Sequence, residues 1–200
     1  MDKIISYSLF GNEKKYIDGA IWNALNYKAY FPDWKARFYI REPIAPEIEA
    51  ILAKHAEIEV CESDAKNMYS VRFLPLVDDS TCIVRDVDSR FTVRDVRCVK
   101  EWLESDKKFH TIRDHPYHID EQYPIQGGLW GKRGVIENKL ILKLVKHICE
   151  TETKLYSDQA WLKNNIWKHY HDQFMIHQYD QIPWMRDSWS EETHCGRRYE

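Results

Sequence analysis

Residues 81 to 95 of the chain read TCIVRDVDSRFTVRD. A short apolar run, Thr81 to Val84, gives way at once to Arg85-Asp86-Val87-Asp88-Ser89-Arg90. In a strand, residues i and i+2 point the same way, roughly 7 Å apart. Asp86 and Asp88 therefore share a side, and Val87 turns toward the core. If the strand bends as it ends, both carboxylates approach one divalent cation. Hard ions such as Mn²⁺ or Mg²⁺ prefer carboxylate, water and phosphate oxygens. Without a cation, two carboxylates so close repel, and one tends to keep its proton. The plainer alternative is a solvated loop in which Asp86 and Asp88 pair with Arg85 and Arg90, an arrangement that contributes little.

The elements that place this stretch follow from the patterning. Residues 4–9 read as a strand, broken by Gly11-Asn12. Residues 14–30 carry Ile17, Ala20, Ile21, Ala24 and Leu25 at helical spacing. A strand over 36–40 follows, then a helix over 46–55 with Pro46 near its first turn, then a strand over 58–61. Residues 66–77 read as helical up to Leu74-Pro75, and 81–84 as the fourth strand. Strand and helix alternate through the first ninety residues, which predicts a parallel sheet flanked by helices. In such sheets ligands bind beyond the carboxyl ends of strands, where Asp86 and Asp88 sit. Further on, Thr92 and Asp95 form a capping box for a helix with Val93, Val96, Val99 and Trp102 on its buried face. A strand over 108–112 precedes an irregular segment, 113–134. Residues 136–148 make an amphipathic helix. Ser157 caps another that runs to about Tyr170, and 174–177 form a last strand. The fold class expected is α/β, with one domain over 1–200; no repeat, low-complexity tract or linker divides it. The polar ending, residues 196–200, is consistent with a domain cut from a longer chain.

The composition narrows the partners. The net charge is −3 at pH 7 and no basic run stands out, which excludes nucleic acid as the main partner. No stretch approaches the ~20 apolar residues of a membrane span. The five cysteines are odd in number and scattered, without zinc spacing. They read as reduced thiols, so the expected location is cytoplasmic.

The motifs RDVDSR (85–90), TVRDVRCVKEWLESD (92–106), KFHTIRDHPYH (108–118), PIQGGLWGKRG (124–134) and SDQAWL (157–162) occur in that order. Together they resemble a small family of GT-A glycosyltransferases found in bacterial surface-polysaccharide clusters and in large DNA viruses, chlorovirus capsid glycosylation among its roles. If the source is viral, the cytoplasm is the host's. The resemblance covers roughly residues 1–180. It implies a GT-A-like fold with a nucleotide-binding half over 1–90 and an acceptor and sugar half over 91–200. It also implies a nucleotide-sugar donor, UDP-linked, and a glycan or glycoprotein acceptor. Asp86 and Asp88 would hold Mn²⁺ or Mg²⁺, with Asp86 also reaching the nucleotide. Ser8, Leu9, Phe10 and Gly11 sit where that fold receives the base, and Phe10 or Tyr16 would stack on it. Arg72 would reach the diphosphate or pair with Asp86, with Arg90 and Arg94 as comparable candidates. Gly127 and Gly128 would carry backbone close to the donor, and Trp130 would offer a face to the sugar. Asp158 is the expected catalytic base, and Asp114 the second carboxylate near the sugar. A third metal ligand would be His194 or His177.

Two other readings compete. Haloacid-dehalogenase-like phosphohydrolases also place two such aspartates after an apolar strand. There Thr or Val usually stands where this chain has Arg90, and the motif follows the first strand instead of the fourth. A catalytically silent sugar- or nucleotide-binding module is the third.

Overall fold

The computed structural model describes residues 2–41, 43–61 and 64–199. Seven strands form one sheet: β1 (Asp2–Leu9), β2 (Lys35–Ile40), β3 (Glu57–Val60), β4 (Ser80–Arg85), β5 (Phe109–Arg113), β6 (Leu129–Arg133) and β7 (Phe174–Gln178). Their spatial order is β3-β2-β1-β4-β6-β5-β7. All neighbours run parallel except β6, which is antiparallel to both β4 and β5. The chain lays β2 and β3 on one side of β1, then returns to place β4 on the other. That reversal opens a crevice at the carboxyl ends of β1 and β4, the usual ligand position in an open α/β sheet.

The strand period of two sorts the faces. Along β1, Ile5, Tyr7 and Leu9 enter one core, with Ala20, Ala24 and Tyr27 of α1 (Lys14–Tyr30) and Val99 and Trp102 of α3 (Val93–Glu104). Ile83 of β4 faces the same way, whereas Cys82 and Val84 enter the opposite core. That second core takes Phe73 from a 3₁₀ helix (Val71–Val77), Leu140, Leu144 and Ile148 from α4 (Asn138–Glu150), and Trp161 and Leu162 from α5 (Ser157–Leu162). The helix α2 (Pro46–His55) begins on Pro46 as expected.

Several expectations are corrected. The supposedly irregular segment contains β6, which brings Trp130 into the core and Lys132 to 1% exposure. Lys132 keeps its charge solvated by donating to the carbonyls of Asp78 (2.5 Å) and Gly134 (3.2 Å). Thr92 does cap α3, accepting from the Asp95 N–H. The buried residues are Arg94, Asp95, Cys98, Val99 and Trp102, with Val96 partly buried against the core, while Val93 is exposed. Ser157 is the first residue of α5, preceded at the cap position by Tyr156 in the left-handed region. After α5 the backbone passes through a π-helical turn, Lys163–Trp167. The stretch ahead of β4 is the 3₁₀ helix, with Pro75 inside it.

Candidate active site

A cleft of about 260 Å³ opens at the carboxyl ends of β1 and β4. Nine of the residues singled out from the sequence line it: Ser8, Phe10, Tyr16, Arg72, Asp86, Asp88, Gly127, Gly128 and Asp158. β1 contributes Ser8 and leads into Phe10. The turn after β4 contributes Asp86, Val87 and Asp88, closed by a hydrogen bond from the Ser89 N–H to the Asp86 carbonyl (3.2 Å). Val87 is buried in the core at the same time, as its place between the two aspartates requires.

Arg72 is the hub. Its guanidinium donates to Asp86 and, at 2.9 Å, to Asp158 Oδ2. Asp158 Oδ1 accepts from the Gln159 N–H at 2.8 Å. Burial opposes the charge on Asp86, but Arg72 outweighs it and holds the carboxyl below its ordinary range. Asp88 is different: burial, reinforced by the neighbouring Asp86 charge, pushes its pKa up. The cation closest to it is Arg198, at 3.8 Å, whose side chain is largely exposed. The two arginines that flank the motif do not neutralise it. Arg85 forms a forked pair with Asp95 (2.7 and 3.1 Å). Arg90 lies over the rings of Trp22 and Tyr199.

The glycine pair brings backbone close to the charged side chains of the cleft. A Cβ on Gly128 would collide with the Asp86 carboxyl, and one on Gly127 with the Asp158 carboxyl and the Arg72 guanidinium. Backbone without side chains therefore closes directly against the charged floor of the cleft.

Five expected site residues stand elsewhere. Leu9 points into the core opposite Ser8, as strand alternation demands. Gly11 serves the turn after β1 with φ of 76° and is not part of the cleft lining. Trp130 is wholly buried against Phe73, so its ring faces no ligand. Asp114 is fully buried and forked onto Arg94, with a further hydrogen bond from the Cys195 N–H at 2.9 Å. That pairing also removes Arg94 from the cleft. His194 packs against His115 and His118 (ring centroids 4.7 and 6.3 Å apart) outside the cleft lining. The other candidate, His177, is buried between His110 (2.9 Å) and Glu101 (3.0 Å). Conversely, Tyr69, Leu155, Tyr156, Gln159 and Arg198 line the cleft without having been expected there. Arg198 arrives because the tail pairs with the turn after β4, through a bridge to Ser89 and a hydrogen bond from the Tyr199 N–H to the Asp88 carbonyl (3.0 Å).

This strand order, with an acid-lined cleft at its switch point, defines a GT-A-like, Rossmann-related α/β fold. The chain is similar to a glycosyltransferase involved in the glycosylation of the major capsid of PBCV-1, with a TM-score of 0.51 at 12% identity, over 89% of this chain and 82% of that one. With the galactosyltransferase LgtC, in complex with donor and acceptor sugar analogues, the TM-score is 0.50 at 15% identity, over 87% and 72%. With the bifunctional IspDF from Campylobacter jejuni it is 0.51 at 11% identity, over 89% and 50%. Identities this low speak to the fold alone. No protein-family model matches the chain, and no curated protein matches it in sequence.

Proposed function

We propose that the chain is a metal-dependent glycosyltransferase that moves a sugar from a nucleotide-diphosphate sugar, UDP-linked, to a glycan or glycoprotein acceptor. One observation carries this reading: Asp86, Asp88 and Asp158 line a single cleft at the switch point of the sheet. Breaking a sugar–phosphate bond puts negative charge on the leaving diphosphate, and that charge needs positioned positive groups. Arg72 and Arg198 line the cleft to supply part of it. In this reading Asp158, which lines the cleft, takes a proton from an acceptor hydroxyl. Phe10, Tyr16 and Tyr69 offer rings for the base.

The donor set fits a hard cation. Asp86 and Asp88 supply only carboxylate oxygens and line the same cleft. Among the described residues no group of three or more His, Cys, Asp or Glu side chains is placed to hold a metal ion. Two carboxylates suit an ion whose other ligands are nucleotide and water oxygens. When bound, Mn²⁺ or Mg²⁺ would act as a Lewis acid toward the diphosphate. The five cysteines form no disulfide, which suits a reduced, cytosol-like compartment. Among the described residues no helix is long and apolar enough to cross a membrane.

A donor screen tests the reading. The protein is heated with individual UDP-sugars and Mn²⁺, because a ligand that binds the native state raises apparent stability. The screen is followed by UDP release without added acceptor. Slow release that stops on chelation is the expected result, and Asp88→Ala is expected to abolish Mn²⁺-dependent UDP binding. Metal-dependent UDP binding with no turnover leaves a binding module. Phosphate release from simple phosphomonoesters overturns the proposal. Nucleotidyltransferases use a similar fold, so pyrophosphate release from CTP is scored in parallel.

A further inference from the structure

The segment that leads into Asp158 presents apolar surface to solvent at the cleft. Leu155 is 73% exposed and Tyr156 46% exposed, and both line the cleft that holds Asp158. Both side chains thus present apolar surface to a cleft that also holds charged groups. Tyr156 is also the only non-glycine among the described residues with positive φ, at 64°. A bulky L-residue is disfavoured there, yet here it directs the chain into α5.

The Tyr156 ring does not stand alone. It stacks on Tyr123, with centroids 4.9 Å apart and an interplanar angle of 20°. Tyr123 sits in a turn, its N–H bonded to the Asp120 carbonyl at 3.0 Å. Its own carbonyl accepts from Gln126 Nε2 at 3.4 Å, immediately before Gly127. The ring pair therefore joins the two segments that carry Gly127-Gly128 and Asp158. Gln159, beside Asp158, adds an amide to the same wall. An aromatic face flanked by an amide and a carboxylate matches a sugar ring, whose C–H face is apolar and whose hydroxyls need donors and acceptors.

We propose that Tyr156, backed by Tyr123, is the platform on which a saccharide acceptor lies, with its hydroxyl directed to Asp158. This rests on the glycosyltransferase reading and narrows its acceptor to a glycan.

Saturation-transfer NMR with irradiation of aromatic protons tests it. The probes are methyl β-glucoside, methyl β-galactoside, methyl β-xyloside and methyl α-mannoside. Three variants accompany the parent. Tyr156→Phe keeps the ring. Tyr156→Asn removes it while tolerating the left-handed backbone. Tyr123→Ala removes the support and gives a second reading should Tyr156→Asn fold poorly. Expected is transfer to at least one glycoside in the parent and in Tyr156→Phe, falling about tenfold in Tyr156→Asn and in Tyr123→Ala. Equal transfer in Tyr156→Asn or Tyr123→Ala and the parent overturns the platform. So does a parent that takes up none of the four probes while UDP with Mn²⁺ still protects it from heat, and that result leaves the proposed function standing. Ring-dependent glycoside binding without any protection by UDP supports the platform and removes the glycosyltransferase reading instead.

Discussion

Arg85 and Arg94 each meet one carboxylate, whereas Arg72 meets two. The Arg85–Asp95 pair is forked, and Arg85 also donates to the carbonyls of Val84 (2.8 Å) and Trp130 (3.3 Å). The Arg94–Asp114 pair is forked as well, and it ties α3 to the carbonyl of Met185 (2.9 Å) and the N–H of Cys195 (2.9 Å). These pairs are balanced, and they fasten elements together. The cleft is unbalanced. Asp86 and Asp158 share one buried guanidinium, whose Nε has no partner among the described residues, and Asp88 is left with Arg198, whose side chain is exposed. Closed pairs belong to the fold. A surplus of carboxylates at a switch point is charge held ready for something the chain does not itself supply.

The sharpest way to break this contrast is to remove one carboxylate from each kind. Asp114→Ala leaves Arg94 buried without its partner and is expected to destabilise the protein by about 3–5 kcal/mol. Urea unfolding checks it, with the midpoint falling at unchanged slope. Full stability combined with lost turnover would move Asp114 from the fold to the chemistry. Asp158→Asn keeps the shape and a hydrogen-bonding oxygen for Arg72, but removes the proton acceptor. Turnover is expected to fall about a hundredfold with UDP and Mn²⁺ binding retained. Equal turnover in variant and parent would leave Asp158 as a mere partner of Arg72.

The balanced region and the open one differed in how far they could be read in advance. Strand–helix alternation and the carboxylates after β4 are local patterns, and both are where they were expected. Gly127-Gly128 is likewise a local signal of close approach. Leu9 was placed with Ser8 although the two-residue period puts their side chains on opposite faces; that signal was present. Trp130 is harder. LWGKR carries a glycine and a lysine inside a core strand, so β6 does not look like one, and a buried ring reads as an exposed one. Gly131 is there because a Cβ would come within 2.7 Å of the Cys82 carbonyl and 3.1 Å of the Trp102 ring. Arg198 and the Tyr123–Tyr156 stack depend on contacts between segments distant in sequence, and no window along the chain contains both partners. Asp114 lies in a segment, residues 108–118, that suggested a site, yet its surroundings are set by the tail folding back onto α3.

The same contrast extends to titration. His110 is wholly buried, and burial with the neighbouring His177 pushes its pKa well below 6.5. The folded state therefore keeps it neutral, while the unfolded chain takes up a proton below about 6.5. Its contribution to stability is complete above that pH and is lost as the pH falls, at up to about 1.4 kcal/mol per pH unit. Urea midpoints at successive pH values are expected to show this slope, and His110→Gln to flatten it. An unchanged slope would assign acid sensitivity to other groups.

Asp88 has the opposite sign and the smallest effect. Its pKa is raised above the ordinary 3.8 by burial and by Asp86. A carboxyl shifted upward favours the fold when protonated and loses that advantage as the pH rises through its folded pKa. In the pH range where the unfolded carboxyl is ionised, Asp88 thus costs stability. Asp88→Asn is expected to raise that stability by about 1 kcal/mol while Mn²⁺-dependent UDP binding disappears. Thermal unfolding without metal reads the first effect and titration calorimetry the second. A variant that melts lower than the parent would place Asp88 with Asp95 and Asp114, among the carboxylates that hold the fold together, and the surplus charge of the cleft would then be one residue smaller.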